Sequence, residues 1–542
     1  MYENKIYHPL KYNPRDIQID ALNFTKTNIN RGKKYILINA PTGIGKSFFS
    51  VMFMNWYLNY INDDARFDIL TNSKILQNQY VKEFPFMKSL KGRNSYTCDT
   101  YNCSCAEGKE FNKALKKKCT DCPYDRAFSE WKSTNTAMTN FHLFNTIHLF
   151  LPKLIEEKKS NVLIIDEADS FESVLCDYIS MKISHRSLKL MGFNDTNINH
   201  VYREISKVKN IFHYIDFVKN YFLNILDEIS ESLLQKLGNP SIIQSEKIKI
   251  SKYITNINGA KESYTAFIND IDGEEGNINN WVIDIDKDES KIFPTNYSIQ
   301  PVWSNKYLYD VIWKHYDHVI FMSGTILDKD MFAYMNGLDT KLCCYYSVPS
   351  PFKVRNRPIY YIKVGKMTYT EKEKTWEKQK LIIDKIIKKN KNNKGIIHTT
   401  NYELSNWLQE YYKNDDRFIF HKSDDRDQAL YKHITSTKPT ILVSPSMMSG
   451  VDLKDELSRF QIIMKIPYPN ISSNKIKKRQ KDNKDWYSWR TVADIIQSYG
   501  RSIRSDDDFA ETYIIDESFS NILRYNYKFL PDWFTDAIKT LK

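Results

Sequence analysis

Along most of the chain, short apolar runs alternate with stretches of helical spacing. KYILIN (Lys34–Asn39), DILTN (Asp68–Asn72), TAMTN (Thr136–Asn140), NVLIID (Asn161–Asp166) and HVIFMSGT (His318–Thr325) read as strands. Nearer the C-terminus a second series follows: GIIHTT from Gly395, RFIFH from Arg417, TILVSP from Thr440, QIIMKIP from Gln461 and TYIIDE from Thr512. Apolar strands separated by helices predict parallel sheets covered by helices. Two such series predict two α/β domains. Between them, Ile211, Ile215, Val218, Phe222, Ile225, Ile229 and Leu233 recur at spacings of four and three, which predicts a long amphipathic helix whose stripe packs a core. TEKEKTWEKQKLIIDKIIKKN (Thr370–Asn390) predicts another, with a capping box at Thr370 and Glu373. The acidic, glycine-bearing DIDGEEGNINN (Asp270–Asn280) predicts an exposed connection.

At 542 residues, the chain is too long for a single core, so three or four domains are expected. The composition, 42% hydrophobic with 16 Gly and 17 Pro, is that of a folded globular protein. Nowhere do eighteen consecutive apolar residues occur, and MYENKIYHPLKYNPRD lacks an apolar export signal, so a cytoplasmic protein without a membrane partner is expected. A net charge of +12 favours a polyanionic partner.

The chemistry begins where the first strand ends. APTGIGKS (Ala40–Ser47) follows KYILIN and precedes the helical SFFSVMFMNWYL, which is the strand, loop and helix context of a phosphate-binding loop. Thr42, Gly43, Ile44 and Gly45 form the turn whose backbone N–H groups can close on phosphates; Lys46 can reach the β/γ oxygens, and Ser47 can ligate Mg²⁺. NVLIIDEADSFE ends a buried strand in Asp166 and Glu167, suited to holding the Mg²⁺ shell and polarising an attacking water. In QSYGRSIRS (Gln497–Ser505), Arg501 and Arg504 stand three apart, so on a helix both guanidinium groups share a face and could meet a transferring γ-phosphoryl.

Taken in order, these segments resemble superfamily 2 helicases, and more narrowly the XPD/DinG type of iron-sulfur DNA helicases. Arg15 and Gln18 in NPRDIQ resemble the adenine-reading Q motif, and LTNSKILQNQY (Leu70–Tyr80) resembles motif Ia. TAMTNFHLF precedes the DEAD box; FMSGTIL (Phe321–Leu327) corresponds to motif III, SPSMMSGVDL with Gly450 and Asp452 to motif V, and Gln497–Arg504 to motif VI. Ala40 stands where the loop usually has its first Gly, and Asp169 where this family usually has His. No nuclease segment precedes the Q motif, so the exonuclease fusion of some relatives is not implied.

The resemblance implies two RecA-like motor domains with two insertions. The first motor domain is expected at 1–91, 129–171 and 298–346, with a cysteine-rich metal-cluster insertion at 92–128. A mainly helical Arch domain is expected at 172–297 and the second motor domain at 347–542. It also implies ATP and Mg²⁺ as cofactors, catalysis by Lys46, Asp166, Glu167, Gln497, Arg501 and Arg504, and translocation 5′ to 3′ on single-stranded DNA. Duplex junctions with a 5′ tail are the implied substrate and a monomer the implied state. Ser73, Thr399 and Thr400 are candidate contacts to the nucleic-acid backbone. An RNA or hybrid helicase, and an ATP-gated clamp with little unwinding, remain open alternatives.

Five of the eight cysteines fall between Tyr96 and Tyr124. In a reducing compartment such a cluster is expected to bind metal. The resemblance implies a 4Fe–4S cluster, with Cys98, Cys105, Cys119 and Cys122 as chosen ligands and Cys103 as an alternative to Cys105; four thiolates suit zinc almost as well. From Lys88 to Lys132 there are ten Lys/Arg against six Asp/Glu, a basic surface suited to phosphates. Tyr96, Tyr101 and Tyr124 could either stack bases or pack the small domain.

Overall fold

Tyr35–Asn39, Phe67–Thr71, Thr136–Asn140 and Val162–Asp166 are buried at every position, so neither face of these strands can meet water. They form one parallel sheet of seven strands. Its order is Cys343–Ser347, Tyr35–Asn39, His318–Ser323, Val162–Asp166, Phe67–Thr71, Thr136–Asn140 and Lys88–Ser89. A second parallel sheet of seven is ordered Phe418–Ile419, Ile441–Ser444, Gly395–His398, Phe460–Ile463, Glu511–Ile514, Ile359–Ile362 and Ile538–Leu541. The computed structural model describes residues 13–115, 119, 121–239, 241–272, 276–287, 295–447, 453, 455–500 and 508–541.

The two sheets are the two α/β domains expected from the sequence, and all ten strands read there are present. Four more were not read: Lys88–Ser89, Cys343–Ser347, Ile359–Ile362 and Ile538–Leu541, which lie at sheet edges or beside one. A continuous apolar core crosses between the lobes. Trp486 and Trp489, on the second-lobe helix Lys484–Tyr499, are buried against Phe332 and Ile326 of the first, and the Trp489 indole N–H donates to Ile326 O at 2.9 Å. Each fully buried large apolar side chain contributes about 1.5–3 kcal/mol, so this seam holds the lobes together.

The segment after the DEAD box is mainly helical, as expected. The predicted stripe lies on a continuous helix over Ile211–Leu237 that widens to a π-turn at Val218–Phe222, and Val218, Phe222, Ile225, Ile229 and Leu233 are all buried. Its base is a sheet that periodicity did not reveal: Met181–Ile183, Thr295–Pro301 and Trp281–Lys287, antiparallel throughout. Thr295–Pro301 runs across the expected return at 298 and pairs here, not with the motor sheet.

Two local expectations are corrected. The helix expected to be capped by Thr370 and Glu373 spans Lys372–Lys389, with Glu371 at its N-cap and no side-chain cap; a turn in which Thr368 Oγ1 donates to Glu371 Oε2 at 3.1 Å takes that place. The connection from Asp270 is an anchor as well as a loop. Asp270 Oδ2 accepts from the Trp281 indole at 2.7 Å and the Tyr307 hydroxyl at 2.9 Å, and buried Asn280 donates to Trp303 O at 2.8 Å.

The small sheet also grips the second lobe. Asp284 accepts from Asn474 N at 2.7 Å and Ser473 Oγ at 2.9 Å, at the start of the basic helix Asn474–Asp482. Farther along that helix, buried Arg479 donates to Glu172 Oε1 at 2.7 Å and Val302 O at 2.7 Å. Among the described residues, no helix is long and apolar enough to cross a membrane.

Candidate active site between the lobes

The phosphate-loop turn follows the buried strand Tyr35–Asn39 and feeds the helix Lys46–Tyr60, so Lys46 and Ser47 are its first two residues. Gly43 and Gly45 have φ of +85° and +78°, a region that glycine enters without steric cost. The turn is braced from the N-terminal helix Asp16–Asn30. Buried Gln18 donates to Ile44 O at 2.7 Å and Gly45 O at 3.2 Å, and Arg15 donates to Gly43 O at 2.7 Å. The two residues read as a Q motif therefore hold the carbonyls of the loop, leaving its N–H groups for an anion.

Lys46 Nζ lies 2.6 Å from Glu167 Oε1 and 3.0 Å from Asp166 Oδ1. Burial works against its charge, but the two carboxylates outweigh it and hold the ammonium well above the ordinary lysine value. Lys46, Asp166 and Glu167 thus meet at one point beside the loop. Glu167 sits at φ +57°, uncommon for a residue with a Cβ and a strained conformation that the surrounding contacts must hold.

Asp169 joins the lobes. Its Oδ1 accepts from Ser323 Oγ at 2.6 Å, and its Oδ2 accepts from Gln497 Nε2 at 3.2 Å; the same Nε2 donates to Thr325 Oγ1 at 2.9 Å. Burial, reinforced by Glu167, pushes this carboxyl above its ordinary range. The cleft around these groups is lined by Thr42, Lys46, Glu167 and Thr325 from the first lobe and by Gln497 and Gly500 from the second. Arg501, Arg504, Gly450 and Asp452 lie outside the described residues.

Several residues at the cleft were not singled out from sequence. Phe352, between the lobes, lies so close to Gly43 that a Cβ there would fall 2.1 Å from its ring. Buried Arg357 donates to Phe352 O at 3.0 Å and also to Trp533 O, while the Tyr499 hydroxyl donates to Arg357 O at 3.0 Å. Tyr80 donates its hydroxyl to Asp166 Oδ2 at 3.0 Å. None of these carries a sequence signal, because a lone aromatic or arginine reads as core or surface until its neighbours are known.

Of the candidate strand contacts, Ser73 caps the helix Lys74–Glu83, its Oγ accepting from Leu76 N at 3.2 Å. Buried Thr399 donates to Asn401 O at 3.2 Å, and Thr400 holds φ +64°.

The cysteines form their own small core. Cys98 and Cys103 face each other across the hairpin Thr97–Cys98/Cys103–Ser104; Cys98, Cys105 and Cys122 are buried together, with Cys103 and Cys119 at their edge. Among the described residues, no three His, Cys, Asp or Glu side chains are grouped closely enough to hold a metal ion. The donor set nevertheless has the right chemistry: five soft thiols with room kept by Gly108, where a Cβ would stand 2.8 Å from Cys98 Sγ. The three tyrosines take the packing role. Tyr96 meets Tyr124 edge-on at 5.6 Å, Arg93 covers the Tyr124 ring at 3.8 Å, and Tyr101 donates to Asn112 Oδ1 at 3.0 Å. Glu107 of this insertion pairs with Lys252 of the long helix Gln244–Asp272 at 3.3 Å, so the two insertions touch.

Residues 383–537 match a family model described as the helicase C-terminal domain, and residues 11–193 match one described as the type III restriction enzyme, res subunit. Solved XPD helicase structures share the fold from end to end. One is matched over 98% of this chain and 100% of its own, with a TM-score of 0.66 at 14% identity. The chain has the fold of XPD helicases, and its C-terminal part matches a helicase C-terminal domain. S. tokodaii Xpd4 is matched over 97% of this chain and all of its own, with a TM-score of 0.57 at 14% identity. The ATP-dependent DNA helicase CHL1 of Vanderwaltozyma polyspora is 29% identical over 129 residues, covering 19% of this chain and 16% of the yeast protein. The chain thus spans about a sixth of that curated relative.

Proposed function

We propose that the chain hydrolyses ATP in the interlobe cleft to move along single-stranded DNA, 5′ to 3′, and to separate duplex ahead of it. The observation that carries this reading is the meeting of Gln497 of one lobe with Asp169 and Thr325 of the other, beside Lys46 and Glu167. Hydrolysis at such a seam changes the fit between the lobes, which is how a chemical step becomes a step along a strand.

Lys46 leaves its carboxylate partners for the β/γ-phosphates, and Glu167, relieved of that lysine, is then able to orient the attacking water. Ser47 and Asp166 would hold Mg²⁺, which when bound neutralises charge developing on the phosphate oxygens. Gln497 places the second-lobe helix over the site; Arg501 and Arg504, which follow it in sequence, would supply charge to the γ-phosphoryl. Backbone contacts from motifs Ia and V would be neutral to sequence.

Cys98, Cys105, Cys119 and Cys122 would hold a 4Fe–4S cluster that staples a domain too small to support its own core. An anaerobic metal analysis with a visible spectrum tests this: iron with a broad thiolate-to-iron band supports it, and stoichiometric zinc overturns it.

The functional test compares strand separation on a 5′-tailed DNA duplex, a 3′-tailed duplex and a matched RNA–DNA hybrid, each with ATP turnover. Unwinding confined to the 5′-tailed DNA supports the reading. Preference for the hybrid would favour an RNA-directed enzyme, and DNA-stimulated turnover without separation would favour a clamp. Lys46→Ala is expected to bind DNA without hydrolysing ATP.

A further inference from the structure

Asp166 is held by three donors. Its Oδ1 accepts from Glu167 N at 2.9 Å and lies 3.0 Å from Lys46 Nζ, while Oδ2 accepts from the Tyr80 hydroxyl at 3.0 Å. The two oxygens differ in what holds them. Lys46 belongs to a flexible side chain with another task once nucleotide arrives. Tyr80 is 1% exposed, its ring packed in the first-lobe core with Phe84 at 6.4 Å. It cannot follow the carboxylate if that group turns.

We propose that Tyr80 is a positioning residue that pins Asp166 through Oδ2, so that Oδ1, released when Lys46 moves to phosphate, faces the magnesium site. The proposal rests on the reading of Asp166 as a Mg²⁺-holding residue given above. Once Lys46 leaves, the Glu167 N–H is, among the described residues, the one donor left on Oδ1, and a carboxylate held by that single bond turns more freely than one fixed at both oxygens. A phenol is well suited to this place: it donates one directed hydrogen bond and carries a large apolar body that belongs in the core. Groups that orient a metal-holding side chain commonly govern metal affinity without touching the metal.

The nearest alternative is that Tyr80 only fills the core and satisfies a buried carboxylate. The two roles separate in magnesium dependence. With the full chain and its Tyr80→Phe variant, binding of a fluorescent methylanthraniloyl-ATP is titrated with MgCl₂, and again in EDTA. The expected result is a magnesium midpoint raised by about tenfold in the variant. Nucleotide affinity in EDTA and the circular-dichroism melting point should stay close to those of the parent chain. An unchanged midpoint overturns the proposal, as does an equal loss of affinity with and without magnesium, which would mark a structural role. If the parent chain itself binds nucleotide without regard to magnesium, the metal-holding reading of Asp166 fails, and the Tyr80 proposal falls with it.

Discussion

Gln497 Nε2 stands 3.2 Å from Asp169 Oδ2, joining residues 328 apart in sequence through one amide and one carboxylate. With Ser323 on the other oxygen and Thr325 sharing the amide, three motifs close on a single side chain. Gln497 therefore reports the position of the second lobe to the turn that carries Glu167. Gln497→Ala is expected to lower kcat for DNA-stimulated ATP turnover by roughly tenfold, about 1.4 kcal/mol of transition-state stabilisation. KM for ATP should move little, because the amide contacts residues and not the phosphate loop. Steady-state kinetics at saturating DNA checks the split.

Gly43 and Phe352 make a steric prediction. At Gly43 both the φ of +85° and the 2.1 Å approach to the Phe352 ring oppose a Cβ: the backbone would be strained and the ring would have to shift. Gly43→Ala is expected to weaken nucleotide binding strongly. Adding Phe352→Ala removes the clash but leaves the strained φ, so the double variant should recover binding only in part. Equilibrium binding of fluorescent ATP by the two variants measures each share.

Much of the motor was legible because its signals are local. Strand, loop and helix around Lys46, the buried strand ending at Asp166, and the ordered motifs through Gln497 each lie within a dozen residues, and the structure gathers those three residues at one cleft. What stayed hidden depends on distance along the chain. Met181–Ile183 finds Thr295–Pro301 more than a hundred residues away, and one apolar–polar–apolar triplet is too short to distinguish a strand from a loop. Ile359–Ile362 and Ile538–Leu541 complete the second sheet only because both ends of that lobe return to it. The contact of Tyr80 with Asp166 crosses 86 residues, and a Tyr at the end of an amphipathic helix has the same pattern whether or not its hydroxyl has work to do.

The Arg479–Glu172 pair predicts a large, localised loss of stability. Both side chains are buried, and Arg479 also covers the Trp303 ring at 4.5 Å. Burial alone would raise the Glu172 carboxyl, but Arg479 and Lys475 overcome it and hold Glu172 below the ordinary range. Removing one partner strands the other charge, at a cost of about 3–5 kcal/mol. Arg479→Met should therefore lower the urea midpoint sharply. Arg479→Met combined with Glu172→Met should lose less than the sum of the single changes, since no charge is then left without its partner.

Two buried histidines make the fold sensitive to mild acid. Burial lowers both His148 and His433 from the usual 6.5 to about 4. His148 Nδ1 lies 3.1 Å from Phe144 O, with its Nε2 3.3 Å from the Tyr316 hydroxyl; His433 lies 2.9 Å from both Leu457 O and Thr440 Oγ1. Each is neutral in the folded chain and protonated below pH 6.5 once unfolded, so the unfolded state binds more protons and stability falls as pH drops. The loss begins near 6.5 and saturates near 4, amounting to roughly 3 kcal/mol per histidine at most. Glu172, held low by Arg479, adds its own loss as pH falls through the ordinary carboxylate value toward its own lower one. Urea unfolding at pH 7.5, 6.5, 5.5 and 4.8 should show a midpoint that falls below 6.5. In a His433→Gln variant, whose amide can replace one of the two hydrogen bonds, the fall should be shallower. Equal slopes in parent and variant would assign the acid sensitivity to other groups.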